Sequence, residues 1–295
     1  MLWGELAALF TAFLWTGTAL AFEIASKRLG SLTVNFLRLS LAFVYLLIFN
    51  ALYRGLPFPT DAGWHAWIWL LLSGLAGFVF GDFFLFSAFR VMGARTTMLI
   101  QTLVPPITAF IGWLVLGEVM SLKNVLGMLL TMSGIALVIL DVSNGNGRPR
   151  FNFPLRGILY AMAGALGQAT GLILSKYGMG SYNPFAATQI RIIAGIAGFL
   201  VIVLFRSHWW QIEASIKDKK GMRALVLGSI LGPFLGVSFS LMAIQKTQAG
   251  IASTLMGLTP VLILIPSALI FKQKITTREI LGAIISVAGA SLFFL

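Results

Sequence analysis

LLSGLAGFVFGDFFLFSAF, residues 71–89, has a second copy in VLGSILGPFLGVSFSLMAI, residues 226–244. A shift of 155 residues carries Gly77, Gly81 and Ala88 onto Gly232, Gly236 and Ala243. The same shift carries Pro105, Gly127 and Gly134 onto Pro260, Gly282 and Gly289. Further upstream a shift of 153 residues sets Gly4 on Gly157 and Arg38 on Arg191. Residues 1–140 and 157–295 therefore read as two copies of one unit. Between them runs DVSNGNGRPRFNFPLR, residues 141–156, whose Gly, Asn and Pro mark a joint rather than a helix.

Ten apolar stretches, each near the ~20 residues that cross a bilayer's hydrocarbon core, divide equally between the copies. They cover about 5–25, 31–52, 64–89, 96–117, 122–140, 157–178, 184–205, 223–244, 250–271 and 277–295, and are called spans 1 to 10 below. The fold class is an all-α polytopic membrane protein. An odd number of spans per unit places the second copy upside down relative to the first. Two inverted units enclosing a site at the midplane point to a secondary transporter.

Composition excludes the soluble alternatives. The 295 residues are 58% hydrophobic, with mean hydropathy +0.93 and 10% charged residues, against about 25% charged in a soluble domain. No stretch outside the spans is long enough for a separate domain. The chain has no cysteine, so neither a disulfide nor a thiolate metal site is expected. The two histidines, His65 and His208, stand beside tryptophans at span edges and read as an interfacial belt, so no metal or cofactor is expected. The N-terminus lacks the basic region of a cleavable signal, so span 1 is expected to be retained.

A net charge of +12 flanks the spans, which points to anionic lipid as a partner and away from nucleic acid. Of 21 Lys and Arg, Arg38 and Arg191 lie inside spans; the rest divide 4 on the side of the termini against 15 on the other. The four are Arg54, Lys123, Lys176 and Lys246. The positive-inside rule puts the richer side in the cytoplasm of a prokaryotic inner membrane and both termini outside.

Small residues four apart, Gly77-x-x-x-Gly81 and Gly232-x-x-x-Gly236, predict close helix packing at equivalent places in spans 3 and 8. Gly167-x-x-x-Gly171 in span 6 has no glycine counterpart in span 1. Pro105 and Pro260, near the middles of spans 4 and 9, predict matched kinks, because proline removes a backbone donor and clashes with the preceding turn. Paired broken helices mark either a binding cavity or a packing need.

Asp82 and Arg38 are ionisable groups inside spans, where burial is costly. At ~1.5 Å per residue each lies about 10 Å from the same end of its span, so the two share a depth and are placed to pair. The pair reads either as a packing device or as a carboxylate that exchanges a proton or a cationic substrate. Arg191 lies in the other half of the membrane, and the repeat mate of Asp82 is Val237, so Arg191 lacks an equivalent partner. Glu5 and Glu118 are on its side, and a substrate carboxylate is the alternative. The candidate substrate-binding residues are Trp15, Arg38, Asp82, Phe86, Gln101, Gln168, Arg191 and Ser238, with Asp82 as the coupling group. Thr102, Ser240 and Thr254 are nearby, but a single hydroxyl in a span usually bonds its own backbone.

FLWTGTALAFEIASKRLGSLTVNFLRLSLA, residues 13–42, resembles the opening of the repeat of the drug/metabolite transporter superfamily, in particular its ten-helix EamA-type members. Trp15, Lys27 and Arg38 carry the match. LVPPITAFIGWLVLGEVMSLKNVLGMLLTMSGIALVIL, residues 103–140, resembles the repeat's close, through Pro105, Gly117-Glu118, Gly127 and Gly134. The second half matches through Arg191, Pro260, Gly282 and Gly289 and departs at Gln168 and at Lys272-Gln273. The resemblance implies a central cavity lined by the first, third and fourth helices of each repeat, alternating access, and export or exchange of amino acids, metabolites, drugs or phosphorylated sugars. It also implies termini in the cytoplasm, against the charge count.

The leading function is a secondary transporter moving a small organic solute outward, with proton coupling through Asp82. The alternatives are a flippase for a lipid or lipid-linked sugar, and a solute importer or exchanger. No paired acids, His-Glu-x-x-His or Ser/His set lies within the spans, which argues against a membrane enzyme. A light-driven pump needs a midspan lysine, and every lysine is at or near a span end. The duplicated unit forms a closed pseudo-symmetric pair, so a monomer suffices, with a homodimer as the alternative.

Overall fold

The computed structural model describes residues 2–92, 94–139, 154–205, 209–264, 266, 269 and 275–294. Side chains at 86, 89, 90, 92, 94–96, 99, 211 and 214 fall outside this description, as does the joint between the repeats. The described chain is helical, with no strand. Seven helices are long and apolar enough to cross a membrane, and two more are shorter and apolar.

Span 1 is Leu2–Leu29, span 2 Ser31–Arg54, span 5 Leu122–Ile139, span 6 Leu155–Met179 and span 7 Pro184–Phe205. Span 4 is broken into Ala94–Gln101 and Val104–Leu116, and span 9 into Ala249–Met256 and Thr259–Leu262. Pro105 and Pro260 are each the second residue after the break, where the missing N–H costs nothing. Span 10 is Thr277–Ser291, opened by a capping box in which Thr276 and Glu279 satisfy each other's backbone donors.

Spans 3 and 8 share a feature absent from the sequence reading. Span 3 runs as α-helix Trp64–Gly74, π-helix Leu75–Gly81 and α-helix Asp82–Met92. Span 8 runs as Lys219–Ser229, π-helix Ile230–Gly236 and Val237–Lys246. The two π segments are exact repeat mates. Pro233 lies inside the second, but Phe78 holds the equivalent place in the first, so proline is not what makes the turn wide. π segments inside α-helices recur at functional sites.

The halves interlock. Span 3 lies against span 6 and span 8 against span 1, each bringing a π segment onto a helix of the other repeat: the glycines of span 6 in the first case, Trp15, Thr18 and Phe22 of span 1 in the second. A Cβ added at Gly171 would fall 2.9 Å from Gly77 Cα, and one at Gly167 would fall 2.7 Å from Gly81 Cα. Ser73 donates to the Gly171 carbonyl at 2.6 Å and its Oγ lies 2.6 Å from Ser175 Oγ, which supplies buried polar contacts across that crossing. Spans 5 and 10 pack equally closely: a Cβ at Gly282 would meet the Gly134 carbonyl oxygen at 2.7 Å. Spans 2 and 7 pack together, and span 7 also packs on span 3.

One connection departs from expectation. Residues 206–222 read as a loop, yet Trp209–Ile216 is a helix and span 8 begins at Lys219. Asp218 accounts for the early start. Its carboxylate accepts from the backbone N–H of Lys220 at 3.1 Å and of Gly221 at 2.9 Å, capping the helix. The bonds from the Gly221 backbone and the Arg28 guanidinium hold its carboxyl below the ordinary aspartate range. Span 10 likewise differs, its helix ending at Ser291 instead of reaching 295.

Candidate functional site

The π segment of span 3 ends at Gly81, so Asp82 is the first residue of regular helix after the wide turn. Arg38, from span 2, donates through Nη2 to Asp82 Oδ2 in a part-buried ion pair, and its guanidinium also lies 5.6 Å from the Phe22 ring centroid. The side chains of Arg38 and Asp82 are 13% and 14% exposed, so neither has free access to water. A charged pair at this depth needs such mutual neutralisation.

Arg191 approaches the same segment one π turn earlier. Its guanidinium lies over Phe78, 4.9 Å from the ring centroid, and a Cβ at Gly77 would stand 3.1 Å from its Nη2. It makes no ion pair and no side-chain hydrogen bond among the described residues, and its Nε is buried without a partner. The two acids expected to serve it are engaged elsewhere. Glu5 Oε1 accepts from Thr247 Oγ1 at 2.7 Å. Glu118 pairs with Lys176 and accepts from the Ala249 N–H at 2.8 Å. Both are occupied in joining the repeats, a role that only the folded contacts display.

The remaining candidates scatter around this centre. Trp15 is half-buried on span 1, and a Cβ at Gly236 would fall 2.7 Å from its Nε1. Gln168, its repeat mate, packs by its backbone against Gly81. Gln101 donates through Nε2 to the Ala161 carbonyl at 3.2 Å, and its Oε1 is buried without a partner. Ser238 is fully buried and donates to the Phe234 carbonyl of its own helix at 2.6 Å. Ser240 and Thr254 likewise bond their own helices. The Phe86 side chain, His208 and Lys272-Gln273 lie outside the described residues. His65 Nε2 sits 3.2 Å from the Tyr177 carbonyl, amid the rings of Trp69 and Tyr177. No cluster of three metal-ligating side chains occurs among the described residues.

Sequence reasoning missed the polar seal on the side of the termini. There Glu118–Lys176, Thr247–Glu5, Ala249–Glu118, and Gln248 to the Val119 carbonyl at 3.0 Å tie one repeat to the other. Gln189 adds a bond to the Pro57 carbonyl at 2.9 Å and accepts from Asn50 Nδ2 at 2.8 Å. Tyr182 donates to Asp61 at 2.8 Å, and Arg54 donates to the same carboxylate. Burial alone would push the Asp61 carboxyl up, but the Tyr182 and Arg54 bonds hold it below the ordinary aspartate range. Burial and the bond to Asp61 push Tyr182 up to about 12. On the opposite side Arg28–Asp218, at 2.8 Å, and Ser215 to the Leu29 carbonyl, at 3.3 Å, join the halves.

Interlocked repeats, paired π segments and a charged centre within the bundle define a polytopic membrane transporter. The chain belongs to the EamA-like transporter family, whose profile matches twice, over residues 2–140 and 155–295. A probable transport protein of Saccharomyces cerevisiae is 24% identical over 246 residues, covering 77% of this chain and 68% of its own length. An uncharacterized transporter of Synechocystis is 26% identical over 288 residues, covering 92% of this chain and 83% of that one. The uncharacterized transporter YoaV of Bacillus subtilis is 30% identical over 138 residues, 45% of this chain and 46% of its own. A solved crystal structure shares the fold with a TM-score of 0.74 at 18% identity, covering 98% of this chain and 96% of that one.

Proposed function

We propose that the chain is a secondary transporter that exports a small organic solute by alternating access, with Asp82 as the coupling group. The observation that carries this reading is the Arg38–Asp82 pair beside the unpaired Arg191, set on a π segment between repeat-related spans. An ionised carboxylate and two guanidiniums are each costly in a bundle interior, which supports a working role for them. The two units, 1–140 and 157–295 about the joint 141–156, are the moving halves. The dense polar links on the side of the termini support a state sealed on that side. The charge count supports termini outside a prokaryotic inner membrane, so this state faces the cytoplasm, ready to load. A monomer contains both halves.

The placement of Asp82 beside Arg38 supports a coupling role for it. Taking up a proton there would release Arg38 from its counterion and leave two buried cations, a strong drive to rearrange. The experiment is a mass-spectrometric comparison of culture medium from cells expressing the intact chain, Asp82→Asn, or neither, at matched membrane expression. A solute class that accumulates outside only with the intact chain is the expected result. Equal media in all three cases reject export.

A further inference from the structure

Arg191 is 6% exposed, and among the described residues no side chain forms an ion pair or hydrogen bond with it; the Asp82 carboxylate, already paired with Arg38, reaches it only through space. Its guanidinium lies against the Gly77 backbone and the Phe78 ring, with the shared Asp82 carboxylate as the acid that acts on it. Glu5 and Glu118 are held by Thr247 and Lys176. Asp82 is held by Arg38. The charged centre therefore contains two guanidiniums against one carboxylate, and one positive charge is left over. A surplus cation in a low-dielectric interior is costly, and an anion supplied from outside would offset that cost. A guanidinium offers N–H groups in a planar fork, which fits a carboxylate by two parallel bonds. Gly77 lacks the side chain that would otherwise cover the guanidinium.

We infer that Arg191 is the docking point for the carboxylate of an organic acid or amino acid, which brings the missing negative charge. The inference rests on the transporter reading in taking that anion to be the solute carried. Arg38 and Asp82 then stay paired while solute is bound, and occupancy neutralises the centre.

The test is thermal unfolding of the purified full chain in detergent, as wild type, Arg191→Met and Arg191→Lys. The probes are a panel of carboxylic acids and amino acids, each matched with its amide, plus phosphatidylglycerol. Ligand-free Arg191→Met is expected to unfold at a higher temperature than wild type, because the surplus charge is gone while the packing on Phe78 remains. At least one acid is expected to raise the midpoint of wild type and Arg191→Lys, with no response to its amide and none in Arg191→Met. The inference is overturned if ligand-free Arg191→Met is less stable than wild type, since the charge is then already compensated within the protein. It is also overturned if acid and amide act alike, if Arg191→Met responds as wild type does, or if no acid acts. Stabilisation by phosphatidylglycerol alone would assign the anion to lipid and overturn the solute reading. Counterflow of the stabilising acid in liposomes separates the two claims. Binding without flux removes transport and keeps the anion site. Flux unchanged in Arg191→Met keeps transport and removes the anion site.

Discussion

Span 3 meets span 6 glycine to glycine, whereas span 8 meets span 1 glycine to side chain. In the first crossing Gly77 and Gly81 face Gly171 and Gly167, and a Cβ at Gly171 or Gly167 would meet the span 3 backbone first. In the second, Gly232 and Gly236 face Thr18 and Trp15, and a Cβ at Gly232 would meet Thr18 Cγ2 at 2.7 Å. The first residue beyond the π segment is Asp82 in one crossing and Val237 in the other. The same backbone device thus carries a carboxylate where glycine meets glycine and an aliphatic side chain where glycine meets side chains. A repeat can keep its fold while its chemistry is confined to one copy, since close packing constrains backbone approach and not the identity of the residue at the exit.

The comparison breaks most sharply at the charge. Asp82→Asn leaves Arg38 without its counterion and both guanidiniums without a neighbouring carboxylate, and removing one member of a buried pair costs about 3–5 kcal/mol. Val237→Asn, at the equivalent position, should cost about 1–3 kcal/mol, the penalty of burying an unpaired amide. Thermal midpoints of the two variants in detergent check this, and equal losses would remove the Arg38–Asp82 pair from its special place. Next comes packing. Gly171→Ala pushes a methyl group into the Gly77 backbone and should cost about 1–3 kcal/mol. Gly232→Ala meets a threonine side chain that can rotate away, so its loss should be smaller, and the reverse order of stability would refute the difference drawn between the crossings.

The seal on the side of the termini sharpens the contrast between the two ends. Lys176→Met removes the partner of Glu118 and should favour opening there by about tenfold, the equivalent of ~1.4 kcal/mol. Ser253 is buried on Ala249–Met256, one turn inward of the Ala249–Glu118 bond, and because the chain has no cysteine a single Ser253→Cys reports accessibility to an impermeant maleimide without background. Unchanged labelling would show that the pair is not a latch. The smallest effect is at Tyr182. Tyr182→Phe loses one hydrogen bond to Asp61, about 0.5–1.5 kcal/mol. The Asp61 contribution is present above the ordinary aspartate pKa and is lost as pH falls through its lowered value. The Tyr182 contribution is present below the ordinary tyrosine pKa of about 10 and is lost as pH rises through about 12. The stability difference between Tyr182→Phe and wild type should therefore be flat across the neutral range, and a step near pH 7 would contradict this assignment.

Much of the centre is legible in the amino-acid sequence. Arg38 and Asp82 were placed together by counting residues from span ends, since helical rise converts sequence distance into depth. The breaks at Pro105 and Pro260 followed from the missing donor. The π segments were not legible: a change from i→i+4 to i→i+5 hydrogen bonding leaves composition and hydropathy unaltered, and Phe78 gives no hint of it. The helix Trp209–Ile216 was hidden because its polar and aromatic residues resemble those of a loop. The engagement of Glu5 and Glu118 was equally invisible, because Thr247 is 242 residues from Glu5 and no local pattern links them.

By itself the amino-acid order determined that this chain lives in lipid, that it spans the bilayer as two inverted copies, and that charge is buried in its middle. Those outcomes follow from local quantities, namely apolar length, repeat spacing and the position of each ionisable residue along a helix. Only the tertiary structure decided which cation has a counterion and which does not, because partners are assigned by helix packing between the copies. Arg38 and Arg191 are equivalent in the sequence. Packing gives Asp82 to the first and leaves the second facing glycine backbone and a phenyl ring.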